Sequence, residues 1–483
     1  MALLGAQMAI ALSNNPQLFL DDYLISRLRN LKRDMKQPVK HPSNPLMLQE
    51  HPWESRYFWY VTVMYDEDWG KFRAWYLCSE KPRVHPKYGV AYAESKDGLR
   101  WTKPMVGHFP FRQYTKHNIV IPNGHGACVL KTPWDPDPNR LYKAAGGDVF
   151  ANSPDGIHWT CRDWKPAVGK NDTGPSFVWW KGQYLAYVRH QSYVDDWRTL
   201  VRCIGLSVSK DFKRWTKKRV ILEGDEADGH PWGQPHALAV TAYGDVLIGL
   251  LPMMDIIPEV GNNIMGEMHV ELAVSRDGRK WHRVADRERF MPQAKPENWK
   301  RRVWDLGFHP GANMFVKGDQ VYVYYVGNRL RWGESSWRCG RTRFGGVGGR
   351  RRTVPSMDPL IAHYGLGLAT LDADRFVSLR PTNFEAEGTL VTKPLLLSGN
   401  DLLVNADIEK DELQVELLDA SKTVVPGFGR EQSMLLRHDK LRYRAVWRGT
   451  RGGQKTLARA PRRQPLALRF TLKNGDLYAF QVK

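Results

Sequence analysis

Helix signals, paired cysteines and long apolar runs are all scarce in this chain of 483 residues. Its five cysteines (Cys78, Cys128, Cys161, Cys203 and Cys339) are scattered, odd in number and form no Cys-x-x-Cys pair. This argues against a disulfide framework or a zinc site, and the thiols read as buried. No apolar run reaches the about 20 residues that a membrane-spanning helix requires, so no membrane partner is expected. Acidic residues are outnumbered, 51 against 71 Lys and Arg, which leaves a formal charge of +20. Such a balance suits nucleic acid, an anionic polysaccharide or simple solubility. With no helix-turn-helix, zinc-finger or RNA-binding signature, no nucleic acid partner is expected. Met1 to Leu12 is apolar but has no basic stretch before it. It reads either as the remnant of a signal peptide, implying a periplasmic or secreted protein, or as an ordered N-terminal strand in a cytoplasmic one.

Aromatic residues are plentiful, with 19 Trp, 19 Tyr and 17 Phe. Many sit around one recurring phrase. It reads Ser95-Lys-Asp97-Gly98-Leu-Arg-Trp101, then Ser153-Pro-Asp155-Gly156-Ile-His-Trp159, Ser209-Lys-Asp211-Phe-Lys-Arg-Trp215 and Ser275-Arg-Asp277-Gly278-Arg-Lys-Trp281. A decayed copy follows at Thr370-Leu-Asp372-Ala-Asp-Arg-Phe376. An alternating apolar run precedes each copy, the period-two pattern of a strand. Asp bonding its own backbone two residues on, and Gly supplying positive φ, make the tight turn. The aromatic then opens an outer strand and packs back over the turn. The first three copies lie under sixty residues apart, about one four-stranded blade each. The Asp residues of the phrase are turn-formers, not catalysts.

The chain therefore reads as all-β: a five-bladed β-propeller followed by a C-terminal β-sandwich. The propeller is expected over 1–385 and the sandwich over 386–483, where aromatic density falls and short strands follow one another. Gln17 to Ser26, QLFLDDYLIS, is the candidate for an N-terminal strand closing the ring, and its Asp21 and Asp22 for a capping or catalytic pair. Fourth strands are expected at Trp101–Pro104, His158–Arg162, Arg214–Lys218, Lys280–Val284 and Arg375–Leu379.

In a propeller the loops leading into the inner strands, and those joining second to third strands, rim one face, and loops on a rigid scaffold carry function. Carboxylates at such positions are Glu54 in blade one, Asp172 in blade three, Asp225, Glu226 and Asp228 in blade four, and Asp305 in blade five. Glu267, before the third strand of blade four, reaches the same rim. Carboxylates converging on a funnel suit glycoside hydrolysis, with an acid and a base or nucleophile about 5 Å or about 6.5–9.5 Å apart. Asp172 and Asp305 lead this set, with Glu54, Asp228 or Glu267 as a third member. Rim arginines, Arg189 and Arg202 among them, suit a carboxylate or sulfate through their planar fork, and Trp232, Trp304 and Trp332 offer apolar faces to a sugar. His125, His230, His236 and His309 stand near inner-strand starts as substrate hydrogen-bonders. As an alternative they hold a divalent metal for a polysaccharide lyase. A propeller that binds glycan without catalysis is the third reading.

The repeat, the opening LFLDDYLI, the strand Lys181-Gly-Gln-Tyr-Leu-Ala-Tyr-Val-Arg189 and the C-terminal Leu402-Leu-Val-Asn-Ala-Asp407…Leu413-Gln-Val-Glu-Leu-Leu-Asp419 resemble bacterial proteins grouped with glycoside hydrolase families 32 and 43. The resemblance runs over nearly the whole chain. It implies a five-bladed propeller with a C-terminal sandwich, a funnel-shaped carbohydrate site and hydrolysis without a required cofactor. The invertase-type motif Asn-Asp-Pro-Asn-Gly is absent, and Asn171-Asp172-Thr-Gly-Pro175 is the nearest counterpart of an Arg-Asp-Pro motif. The expectation is thus a glycosidase for an acidic or sulfated oligo- or polysaccharide, with its oligomeric state open.

Overall fold

The structure, a computed structural model, describes residues 9–80, 88–147, 149–161, 174–194, 199–257, 265–294, 303–331, 364–461 and 464–483. It holds a five-bladed propeller and a C-terminal β-sandwich. Blade one runs outward from the axis as Tyr57–Asp66, Lys71–Ser79, Gly89–Ser95 and Ile119–Pro122. Blade two is Cys128–Lys131, Tyr142–Ala145, Phe150–Ser153 and Thr160–Cys161. Blade three is Ser176–Trp180, Gln183–Val194, Thr199–Ser209 and Arg219–Leu222. In blade four the inner strand is split into Gly233–Pro235 and Ala239–Tyr243, followed by Val246–Ile256 and Gly266–Ser275 and an outer edge of His282–Arg283 and Arg289–Met291. Blade five has inner segments Gly307–Pro310 and Phe315–Lys317, then Gln320–Asn328 and Gly365–Asp372.

The repeat phrase does two jobs. Locally it closes a turn. Asp97 Oδ1 accepts the backbone N–H groups of Leu99 and Arg100, and Ser95 Oγ accepts that of Gly98. The same bonds recur at Ser153–Asp155 and Ser275–Asp277. Gly98, Gly156 and Gly278 lie at φ of 78°, 77° and 74°, where a Cβ is disfavoured.

The second job is between blades. Trp75 of blade one donates to the Gly156 carbonyl of blade two at 2.8 Å. Arg140 of blade two donates to Asp211 O of blade three at 2.9 Å. Tyr187 of blade three donates to Gly278 O of blade four at 2.9 Å, and Tyr243 of blade four to Asp374 Oδ1 in the decayed copy at 2.8 Å. Tyr324 of blade five returns to Gly98 O of blade one at 2.8 Å, so each turn is held by the blade before it around the whole ring. Each bond contributes about 1 kcal/mol, and more is lost if the turn carbonyl is left buried and unpaired.

Ring closure differs from expectation. The outer strand of blade five comes from Val39–Lys40 and Met47–Leu48, which pair with Gly365–Asp372. Gln17–Leu18 instead pairs with Asp476–Val482, and Ile25–Arg29 with Gly388–Thr392. Val377–Pro381, which overlaps the Arg375–Leu379 expected as the fourth strand of blade five, pairs with Leu31–Met35. These strands belong to the nine-stranded C-terminal sheet. The strand pairing thus gives residues 17–35 and 377–381 to that sheet, where the sequence alone places both in the propeller. The segment packs on both sides: Phe19, Leu24 and Ile25 enter the core of the C-terminal module, and Leu18 and Leu20 that of blades four and five. That module folds over itself along Leu402–Leu418, whose first half pairs with Asp476–Val482 and whose second half pairs with Ala467–Leu472. Of the fourth strands, Trp101–Pro104 makes only the bridge of Thr102 to Glu94, and the edge falls on Ile119–Pro122. In blade three it falls on Arg219–Leu222, just past Arg214–Lys218. Cys78, Cys128 and Cys203 are buried free thiols, Cys161 is exposed, and Cys339 lies outside the described residues.

Candidate functional site

The inner strands are stitched to each other across the axis. Ala312 N donates to Val61 O at 2.8 Å, Val129 N to Thr62 Oγ1 at 3.1 Å, and Ser176 Oγ to Ala312 O at 2.9 Å. Val240 N donates to Ser176 Oγ at 2.9 Å, and Met314 N to Thr241 Oγ1 at 3.0 Å. Just before these contacts in each blade, toward the strand starts, the side chains change character. Tyr60 of blade one, His236 of blade four and His309 of blade five gather there, with His125 ahead of blade two. The rings of His236 and His309 are 5.2 Å apart, Tyr60 is 5.4 Å from His309, and His125 is 6.0 Å from Tyr60 and 4.6 Å from Tyr88.

The backbone is shaped to present Tyr60. The pairing of Tyr57–Asp66 with its neighbour slips between Trp59 and Thr62, and Tyr60 sits at a φ of 46°. A bulge with a left-handed aromatic is a costly arrangement of the kind that collects at functional sites. Gly174 lies against it: a Cβ there would stand 2.9 Å from the Tyr60 ring. The end of the segment Asn171-Asp172-Thr-Gly-Pro175 therefore abuts the cluster, although Asp172 itself lies outside the described residues.

Blade three supplies the charge. Arg189, 4% exposed, donates through Nε and Nη2 to the His236 carbonyl at 3.0 and 2.5 Å. Arg202, 5% exposed, donates through Nη1 to Gln234 Oε1 at 2.8 Å, and its own N–H meets the same oxygen. The two guanidiniums place positive charge beside His236. Burial pushes His236 well below the ordinary imidazole range, and Arg189, His309 and Arg202 push it further. Burial likewise lowers His309 to about 4, against a hydrogen bond to Pro310 that acts the other way and with Arg189 adding to the fall. Both imidazoles are neutral at pH 7. Since a carbonyl only accepts, His309 Nδ1 carries the proton given to Pro310 O at 2.7 Å, which assigns the basic lone pair to Nε2.

Three of the expected carboxylates, Glu54, Asp305 and Asp228, are bound by other partners. Glu54 is fully buried and accepts from Tyr76 OH at 2.6 Å, Lys103 Nζ at 2.9 Å and the N–H groups of Glu50 and His51. Asp305 is held by Lys40 Nζ at 2.6 Å and Tyr325 OH at 3.0 Å, and its neighbour Trp304 stacks on the Tyr325 ring. Asp228 is bound by Arg283 at 2.6 Å and Arg287 at 3.1 Å. Each is paired and hydrogen-bonded, as a buried carboxylate requires. Glu267 is different: half exposed, 3.4 Å from Arg331, it stands directly opposite Asp255 where the second and third strands of blade four end. Asp255 also faces Gly233, three residues ahead of His236, which puts this carboxylate pair at the same end of the blade as the axial cluster. His269 lies between Asp255 at 3.4 Å and Glu271 at 3.3 Å; burial opposes its charge, but the two carboxylates win and raise its pKa. His230 and Trp232 are exposed on the loop into blade four, and Trp332 lies outside the described residues. Among the described residues no group of three or more His, Cys, Asp or Glu is placed to hold a metal ion. The sequence reading missed Tyr60, Tyr88, Gln234 and Asp255. Only the aromatic run Tyr57-Phe-Trp-Tyr60 carried a signal.

No family model matches the chain, and no curated protein matches it. Among solved structures it is similar to a glycoside hydrolase family 32 β-fructofuranosidase from Bombyx mori, at 11% identity over 92% of this chain and 94% of that one, with a TM-score of 0.38. A glycosyl hydrolase from Bacteroides ovatus shares 14% identity over 75% and 98% of the two chains, with a TM-score of 0.41. A β-fructofuranosidase from Schwanniomyces occidentalis shares 10% over 92% and 97%, with a TM-score of 0.40. Family 32, which the sequence resembles, is thus represented among the similar structures. At these identities no residue role carries over.

Proposed function

We propose that this protein is a glycoside hydrolase acting on an acidic or sulfated oligo- or polysaccharide, received at the axial cluster and needing no cofactor. The observation that carries this reading is the positive charge of Arg189 and Arg202, both buried beside the cluster in which the rings of His236 and His309 stand 5.2 Å apart. A uronate or sulfate entering such a field gains charge-assisted hydrogen bonds in a desolvated site. Tyr60 and Tyr88 supply the apolar ring faces that a sugar packs on. The acid and the base or nucleophile are assigned to Asp172, Glu267 and Asp255, since the carboxylates of Glu54, Asp228 and Asp305 are buried in close ion pairs whereas those of Glu267 and Asp255 are exposed at the rim in longer ones. Their separation decides retention or inversion.

One observation favours a second reading, a lyase. His309 is neutral with Nε2 basic, in the same field that would neutralise a uronate. The proton α to the carboxylate would pass to that nitrogen, its C–H electron pair would form the double bond, and the β C–O bond would break as the leaving oxygen is protonated.

The test is a panel of neutral, uronic and sulfated oligosaccharides given to wild type, Arg189→Met and Asp172→Asn, with and without EDTA. Release of reducing ends without an unsaturated product, confined to the anionic sugars, lost in both variants and indifferent to EDTA, is the expected result. An unsaturated, ultraviolet-absorbing product would replace hydrolase by lyase. Binding without turnover would replace both by a glycan-binding propeller.

A further inference from the structure

A cleft of about 930 Å³ lies between the repeat turn of blade four and the N-terminal strands that join the C-terminal sheet. Its size falls within the about 300–1,000 Å³ of small-molecule clefts. Its wall includes Tyr23, 44% exposed, on the segment Asp21-Asp22-Tyr23 that the sequence marks out and the axial site does not use.

Tyr23 is held in place by its neighbours. Asp21 accepts the Tyr23 backbone N–H at 3.1 Å and binds Arg276 through both oxygens at 2.9 and 3.0 Å. The Arg276 guanidinium lies 4.0 Å from the centre of the Tyr23 ring, so a fixed cation backs one ring face. The pairs Asp21–Arg276 and Asp22–Arg33 neutralise each other. What remains of the charged wall includes Lys32, Lys280 and Lys393 with Asp277, Asp286 and Glu288, over Leu28, Leu31 and Val284 as apolar floor. Lys32 and Lys280 are exposed; burial opposes the charge of Asp277, but its hydrogen bonds to backbone N–H groups and the nearby Lys280 charge lower its pKa.

An aromatic ring locked by an Arg–carboxylate pair, over an apolar floor and beside lysines, is chemistry that recognises a sugar ring carrying negative charge: the ring stacks, and the lysines meet its carboxylate or sulfate. Preorganisation lowers the ordering cost of binding. We propose that this cleft is a second, non-catalytic binding site for a stretch of anionic polysaccharide, with Tyr23 as its platform. The proposal rests on the reading of the substrate as an acidic glycan. Its site lies apart from the axial cluster, on residues that no catalytic step uses, so it would raise affinity for long chains and leave short substrates unaffected.

The experiment is affinity electrophoresis of the full chain in gels containing polygalacturonate, sulfated dextran or neutral dextran, with trigalacturonate turnover measured in parallel. Wild type is expected to be retarded by at least one polyanion and not by neutral dextran; which polyanion acts separates uronate from sulfate recognition. Tyr23→Ala should weaken retention about tenfold or more, the double change Lys32→Glu/Lys280→Glu severalfold or more, and Tyr23→Phe little. Retention in Arg189→Met should match wild type. Wild-type retention in Tyr23→Ala, no retention of wild type by either polyanion, or loss of retention only in Arg189→Met would overturn the second site and leave the hydrolase reading standing. Tyr23-dependent retention with no turnover of any glycan would keep the second site and remove the hydrolase.

Discussion

Arg73 offers the sharpest test of how the blades are joined. It has no exposed surface and reaches in four directions: Nη1 to Asp66 at 2.9 Å and to Tyr142 OH at 3.1 Å, Nε to Tyr92 OH at 2.9 Å, and Nη2 to the Asp155 carbonyl in blade two's repeat turn at 2.5 Å. Asp66 is equally buried and also binds Lys131 at 2.5 Å. Arg73→Met fits the space but strips Asp66 of one cation and leaves the turn carbonyl unpaired. Removing one partner of a buried pair costs about 3–5 kcal/mol, and Lys131, still in contact, holds the loss to the lower end. Changing both, Arg73→Met with Asp66→Asn, should cost about 1–3 kcal/mol less than the sum of the two single changes. In a chain this long, global unfolding is not a single two-state step, so the assay is local. Hydrogen exchange should show the opening free energy of Lys71–Ser79 and Tyr142–Ala145 falling by about 3 kcal/mol, with the C-terminal strands unchanged. A loss under about 1 kcal/mol, or strict additivity, would refute the reasoning.

Other outcomes follow from single contacts. Tyr324→Phe removes the bond that closes the ring from blade five to blade one and should cost about 1–2 kcal/mol, read as a lower denaturant midpoint of the propeller. Asp305→Asn should lower the melting temperature by breaking the pair with Lys40 while leaving kcat within about twofold; a selective loss of kcat would return Asp305 to the catalytic set. His309 should stay neutral by NMR down to about pH 4. Because its folded pKa lies below the unfolded value of about 6.5, the unfolded chain binds the extra proton between those values. Stability should therefore rise from pH 4 to about 6.5 and be flat in this group above that.

The repeat was legible because its bonds are local: Ser, Asp and Gly satisfy one another within four residues, and any copy shows the whole motif. The inner three strands of each blade followed from it. The outer strands did not, because Ile119–Pro122 pairs only after a long excursion past Trp101, and blade five is closed by residues from the other end of the chain. Gln17 to Ser26 reads as a strand in either sheet: Phe19 and Leu24 face the C-terminal core and Leu18 and Leu20 that of the propeller, and only the backbone pairing assigns it. The ion pairs of three carboxylates were hidden for the same reason. A loop Asp looks alike whether free or paired, and the partners of Asp305, Asp228 and Glu54 lie 265, 55 and 49 residues away. His236 and His309 stand near the starts of inner strands that converge on the axis, so their meeting was legible from position alone.

The central claim is that buried cations at the strand starts select an anionic sugar. The direct measurement is kcat/KM for a uronic oligosaccharide and for its neutral methyl ester, with wild type and Arg189→Met. A charge-assisted hydrogen bond contributes about 1.5–3 kcal/mol, a factor of about 10 to 100. Arg189→Met should lose that factor on the acid and stay within about threefold on the ester. An equal loss on both sugars, or no loss on either, would contradict the account.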